Sequence, residues 1–384
     1  FVQNGVKCYH VELRNPLKKR RSLSLYFCAE WVLTQWREKA NLVYARRENG
    51  MLLASCAGEQ GVAFVCAPAQ PGSSTCSRAE FFGQGNGGEI AALAGGELSG
   101  KASGSLDACA ALRVPVTVEA GERVCVDFLL GWAENPAAAR MKADSFVGQG
   151  GEAVLAQVRE KWRERLGALQ VRTGDRAFDR MMNGWLLYQV YSSRLLAKAG
   201  YYQAGGATGF RDQLQDTLAL LPTNPGRTRA QILHAAAHQF EDGDVQHWWH
   251  EPARGVRTYI SDDLLFLPYV ALAYVDATGD GSIWEEEAPF LANMDIPSGV
   301  HDIYAEAQPS GNSGALYEHC LRAIRRASRL GSHGLPLMGT GDWNDGMDQV
   351  GAGGKGESVF LAWFLCAILP RFSALCAKRG DGEE

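Results

Sequence analysis

Three acidic residues and a tryptophan stand between glycines in GTGDWNDGMD, residues 339–348: Asp342, Trp343, Asp345 and Asp348. A carboxyl group beside apolar rings has its ionised form desolvated, which suits it to hand a proton to a leaving oxygen. Flanking glycines let the backbone approach a ligand closely. Spacing argues against calcium, because an EF-type loop needs acids at alternating positions and a Glu at its end. A solvated turn is the plain alternative.

Two further segments carry groups of the same kind. In GATGFRDQLQDTLALL a Gly-rich loop leads into a helical pattern whose first turns hold Arg211, Asp212, Gln215 and Asp216. Asp212 and Asp216 are four apart and share a helix face, where the N-terminal end of the dipole favours carboxylates. That is either ordinary capping or a polar fork in which Arg donates and Asp accepts, fixing several hydroxyls of one sugar ring. The second segment, EDGDVQHWWHEPARGVRTYISDDLLFLP, joins Trp248 and Trp249 to His247, His250, Arg257, Asp262 and Asp263. His247 and His250 lack a third zinc ligand nearby. The SDD resembles the metal motif of helical terpene cyclases but has no second pair of acids, so no metal is expected. A stacking platform with hydroxyl-binding groups around Trp249, Arg257 and Asp263 is the functional reading, and core tryptophans ahead of a capped helix are the structural one.

The elements that position these groups follow from periodicity. Up to about residue 130 the chain alternates in twos, as where Leu23, Leu25 and Phe27 face Ser22, Ser24 and Tyr26, and the runs are bounded by Gly, Pro and Ser. This predicts an antiparallel β-sandwich over 1–135. GGEAVLAQVREKWRERLGALQV has apolar residues three and four apart and predicts a helical linker within 136–170. Everything from 171 to 384 reads as six or seven helices separated by Gly- or Pro-rich loops. In VFLAWFLCAILPRF apolar residues occupy most of the helix circumference, as in the inner ring of a helical barrel.

With 384 residues there is room for two domains and a large core. A net charge of −5 offers no basic face for nucleic acid. No apolar run approaches the ~20 residues of a membrane helix, and no signal core opens the sequence, so a cytoplasmic protein is expected. The ten cysteines form no CxxC pair and read as free thiols in a reducing compartment. The chain starts inside a strand-like pattern and stops after a helix, KRGDGEE, so it is expected to be part of a longer protein.

Taken in order, GFRDQLQD, EDGDVQHWWHEP, RGVRTYISDDLLFLPY, LYEHCLRAI, HGLPLMGTGDWNDGMD and GKGESVFLAWFL resemble glycoside hydrolase family 94, the inverting phosphorylases. SLYFCAEWVLTQWRE, SGSLDACAALRV and ERVCVDFLLG extend the likeness to the amino-terminal half. The similarity is greatest to the branch of β-1,2-oligoglucan phosphorylases and the carboxy-terminal domain of cyclic β-1,2-glucan synthases. It implies a β-sandwich, a helical linker and part of an (α/α)6 barrel. It also implies that Asp345, the second Asp of the DWND box, is the general acid, with Arg211 and Asp216 in the subsite of the departing glucosyl unit and Trp343 against that ring. The implied reaction passes a glucosyl unit from a β-linked gluco-oligosaccharide to inorganic phosphate as co-substrate, giving α-glucose 1-phosphate with no cofactor. Alternatives are a cellobiose- or laminaribiose-type phosphorylase, an inverting hydrolase needing a second carboxylate, and a non-catalytic carbohydrate-binding fragment. The family's phosphate-holding His and Thr come from a later barrel segment not matched within these residues, so the isolated chain is expected to be inactive or poorly folded. Pairing through sandwich domains implies a homodimer.

Overall fold

The computed structural model describes residues 1–34, 36–68, 72–83, 90–196 and 206–381. Among these the chain divides into two compact units, the first covering Phe1–Glu164 and the second beginning at Arg165.

Among its described residues the first unit has ten strands: β1 (Val2–Gln3), β2 (Val6–Arg14), β3 (Arg21–Glu30), β4 (Val43–Glu48), β5 (Met51–Cys56), β6 (Val62–Cys66), β7 (Ser73–Ser77), β8 (Ser103–Gly104), β9 (Ala108–Val118) and β10 (Arg123–Ala133). They form a seven-stranded sheet, order β1-β2-β10-β6-β5-β4-β8, and a three-stranded sheet, order β3-β9-β7. Every paired strand is antiparallel, with β3 and β9 in register from Arg21 opposite Val118 to Glu30 opposite Cys109. Because side chains alternate between faces, β5 splits its apolar residues. Leu52 and Ala54 meet Ala110, Leu112 and Val114 of the smaller sheet, which makes the sandwich core.

Met51 and Leu53 point the other way and are covered by α1 (Pro136–Gln149) and α2 (Gly151–Gly167) through Ala139, Ala143, Phe146, Val154 and Val158. The predicted linker is therefore two helices, broken at Gly150 in positive φ, and they cover the back of the sandwich. Asn135 caps the first by accepting from the Ala138 N–H, with Pro136 at its first position.

Among its described residues the second unit holds five helices of nine or more residues: α3 (Phe210–Leu218), α4 (Pro225–Ala236), α5 (Phe266–Thr278), α6 (Leu316–Ala327) and α7 (Val359–Arg379). A further helical stretch over 176–195 is kinked at Asn183 and Gly184. Phe210, Leu214, Ile232, Leu267, Val270, Leu316, Cys320, Leu361, Leu365 and Ile368 form one core. On α7 the stripe Leu361, Leu365, Ile368, Phe372 and Cys376 is buried, while Phe360 and Trp363 are exposed. By length and composition this 21-residue helix is apolar enough to cross a membrane, which corrects the count of apolar runs. Pro370 and Arg371 interrupt the run without ending the helix, and Lys378 and Arg379 lie in its last turn.

Not everything after residue 171 is helix. Strands β11 (Thr208–Gly209), β12 (Gln246–His250), β13 (Arg254–Thr258) and β15 (Asp302–Glu306) form a four-stranded sheet, and β14 (Glu287–Leu291) pairs with β16 (Pro309–Ala315). These strands are short and lie between helices, so their two-residue period is drowned by Gly- and Asp-rich neighbours. All ten cysteines are unpaired, and Cys366 is exposed.

Candidate active site

Backbone pairing brings the two acidic segments together. Tyr259 O accepts from Thr340 N at 3.1 Å and Gly341 O accepts from Ser261 N at 3.0 Å, so YIS lies against GTG. Gly339 has φ +66°, and a Cβ there would fall 1.8 Å from Tyr259 O. Only glycine lets the strands approach this closely. Asp342 then fixes the loop from inside. Its carboxylate accepts from Asn344 N at 3.0 Å and from Ser358 Oγ at 2.7 Å, and Ser358 caps α7 by accepting from Leu361 N at 2.9 Å. Asp342 is thus a buried anchor, and Trp343 and Asp345 are left exposed beyond it.

Arg211, in the first turn of α3, is the centre of the cluster. Its Nη1 donates to both Asp262 oxygens at 3.0 Å and lies 3.6 Å from Asp263 Oδ1. Its Nη2 donates to Asp345 at 2.9 and 3.2 Å. Asp263 is held from the other side by His247 Nδ1 at 2.5 Å, and His247 Nε2 stands 3.9 Å from Asp345. Three carboxylates thus share one guanidinium and one imidazole. Burial, then the neighbouring Asp263 charge, push Asp262 up against the opposing pull of Arg211. For His247 burial is the largest influence and lowers its pKa, but the Asp263 and Asp345 charges together outweigh it and raise it above 6.5. Asp263 Oδ1 is buried without a hydrogen-bond donor. The side chains of Asp262 and Asp263 are 0% and 2% exposed, while that of Asp345 is 51% exposed.

The other expected site residues lie elsewhere in the unit. Arg194 bridges Asp212 and Asp216, reaching Asp212 at 2.7 Å and both Asp216 oxygens at 2.7 and 2.8 Å, so these two acids already have a cation. Gln215 is exposed on α3. Trp249 is fully buried, with its ring stacked on His238 at 3.7 Å, so the stacking-platform expectation is corrected for this ring: the core occupies the face a sugar would use. Arg257 is likewise a framework residue. It bonds Asp242, Asp244 at 3.0 Å and Met294 O at 2.9 Å, and lies over the Phe240 ring at 4.4 Å. A cavity of about 400 Å³ borders the same loops, lined by Tyr259, Ser261, Arg326, Arg329 and Thr340, and none of the Arg211 cluster lines it.

His247 and Asp262 are absent from the expected site set although their motifs are in it. Adjacent positions in QHWWH and SDD are chemically similar, and only the register of β12 and the turn after β13 decide which side chain turns toward Arg211. The pair of acids directly after YIS, the segment that pairs with GTG ahead of the DWND box, is the signal that could have found Asp262.

Residues 161–384 match the model of the glycosyl hydrolase 94 superfamily catalytic domain, and residues 2–149 match the glycosyl hydrolase 94 supersandwich domain. Over 98% of its length the chain is 40% identical to the cyclic beta-(1,2)-glucan synthase NdvB of Rhizobium meliloti (strain 1021), covering 14% of that protein. It is 26% identical over 86% of its length to 3-O-beta-D-glucopyranosyl-beta-D-glucuronide phosphorylase and 28% over 98% to solabiose phosphorylase, both of Paenibacillus borealis. It covers 41% and 47% of those two, so it spans less than half the length of each of these relatives.

Proposed function

The chain belongs to glycosyl hydrolase family 94, and from that premise we propose that it is the glucosyl-holding part of an inverting glycoside phosphorylase, with Asp345 as general acid. The observation that carries this reading is the contrast in exposure within the Arg211 cluster: Asp345 is open to solvent, while Asp262 and Asp263 are buried and engaged. An inverting hydrolase needs two working carboxylates about 6.5–9.5 Å apart, one to activate water. A phosphorylase needs one, because inorganic phosphate is already an anion and attacks the anomeric carbon itself.

In this reading Asp345 protonates the glycosidic oxygen as the bond to the anomeric carbon breaks and phosphate enters from the opposite face. The products are α-glucose 1-phosphate and a shortened glucan. An ion pair to Arg211 opposes proton transfer from Asp345, so sugar hydroxyls must take over as acceptors for Arg211 when substrate binds. Trp343, exposed two residues before Asp345, supplies an apolar face for the sugar ring. The helices α3–α7 belong to an (α/α)6 barrel, and the groups that hold phosphate come from barrel segments other than those described. The β-1,2 linkage is supported by the relative at 40% identity, whose name carries that linkage.

The test uses the intact parent protein with sophoro-oligosaccharides or cellobiose, with and without phosphate. Phosphate-dependent release of α-glucose 1-phosphate from the β-1,2 substrate is expected. Glucose released without phosphate would replace this reading with a hydrolase. Phosphorolysis of cellobiose alone would keep the reaction class and overturn the linkage.

A further inference from the structure

Away from the Arg211 cluster, a histidine in the last turn of α4, another in the turn that follows it and an acid of the β12–β13 turn converge. His234 is in the last turn of α4, and His238 follows two residues after the helix ends at Ala236, in a turn closed by His238 N donating to Ala235 O at 2.9 Å. Their rings are 5.2 Å apart at 71°, and His234 Nε2 lies 3.1 Å from Glu251 Oε1. One ring nitrogen from each histidine and a Glu251 oxygen all lie within 4.8 Å of one another. We propose that His234, His238 and Glu251 form a zinc site that ties the end of α4 to the β12–β13 hairpin.

The orientation of His238 is the strongest argument. Gln246 Nε2 donates to Ala253 O at 2.8 Å, so Gln246 Oε1 is left to accept, and His238 Nδ1 lies 2.8 Å from it. Nδ1 therefore carries the proton, and Nε2 keeps its lone pair. This is the arrangement in which a metal-binding imidazole is held by an outer hydrogen bond from its other nitrogen. The Trp249 ring stacks on His238 at 3.7 Å and fixes its plane. On the acid side, Trp249 Nε1 donates to Glu251 Oε1 at 3.3 Å.

Geometry also suits zinc. Bonds of about 2.0–2.1 Å in a tetrahedron set neighbouring ligand atoms about 3.3 Å apart. The His234–Glu251 separation of 3.1 Å is close to that value, and the third ligand atom lies within 4.8 Å of both. The His234 and Glu251 side chains are 39% and 56% exposed, which gives an ion an entry path and leaves a fourth position for water. Two neutral imidazoles and one carboxylate are a borderline-soft donor set, which selects zinc over magnesium or calcium.

The test is zinc titration of the intact protein, prepared without a polyhistidine tag, followed by calorimetry and by the visible spectrum of the cobalt-substituted form. Stoichiometric binding with a tetrahedral cobalt spectrum is expected, lost in His234→Gln and in Glu251→Gln. Both positions are at the surface, so far-UV circular dichroism should show both variants folded. A second group, His10, Cys125 and Glu152, also places three donor atoms close together, so Cys125→Ser is the control and should retain the signal. Equal zinc binding in wild type and His234→Gln, or loss in Cys125→Ser alone, would overturn the assignment. So would an absence of zinc binding by the wild-type protein.

Discussion

Two buried arginine–aspartate networks lie in the second unit, and they are built to different charge balances. Around Arg257 and Arg326 stand Asp242 and Asp244, two cations for two anions, with each arginine bonded to both acids. Around Arg211 stand Asp262, Asp263 and Asp345, three anions for one guanidinium, with His247 as the only other cation source among the described residues of the cluster. A balanced buried network holds structure, because each charge has its partner and nothing remains to bind. An unbalanced one with an exposed acid stores electrostatic demand that a ligand can meet.

The largest effect separating the two should come from Asp345→Asn. In the intact parent this is expected to lower turnover by about 10²–10⁴-fold, since neutral Asn cannot donate the proton. Thermal stability should stay near wild type, because Asp345 is half exposed. Retained turnover of unactivated oligosaccharide would remove Asp345 from the role.

Next in size is Arg257→Met. It strips one cation from the balanced network and leaves Asp244 buried, a loss of about 3–5 kcal/mol. Chemical denaturation should show the midpoint falling with little change in slope. Activity per folded molecule should survive, and an unchanged midpoint would mean that the network carries no structural load.

A smaller effect is expected from His247→Gln, and its sign depends on pH. His247 is raised above 6.5 in the folded protein, so its contribution is fully present below 6.5 and is lost as pH rises through the folded value. The melting-temperature gap between wild type and variant should therefore be wider at pH 6 than at pH 9. A gap that widens toward alkaline pH would mean that His247 does not counter the acid cluster.

Much of the framework is legible in the sequence, and the exceptions have physical causes. The alternation of Leu25 and Phe27 against Tyr26 and Cys28 marks β3, and the two sets do pack in different clusters. Helix α7 is legible too, because Leu361, Leu365, Ile368, Phe372 and Cys376 keep the helical period through Pro370. The strands β12 and β13 are not, since five residues of QHWWH give too few repeats to set a period. Among site residues, types and spacing name Arg211 and Asp263 and leave Asp345 one of three acids that the family resemblance narrows to one, without saying that one guanidinium joins them across 134 residues of sequence. Side-chain destination is the harder quantity. Trp249 and Trp343 look equally fit to stack on a sugar, yet the first is sealed by His238 and the second is 55% exposed.

That last difference gives the smallest and most selective test. Trp343→Ala removes a ring that the folded protein leaves in solvent, so stability should change by less than about 0.5 kcal/mol. If the contact to the sugar ring is worth about as much as an aromatic pair, about 0.5–1.5 kcal/mol, KM should rise by up to roughly tenfold. If Trp343 holds the ring equally in ground and transition states, kcat should stay near wild type, because lost uniform binding appears in KM alone. A fall in kcat at unchanged KM would instead make Trp343 part of how Asp345 is aimed, and would move the ring contact to another surface of the cluster.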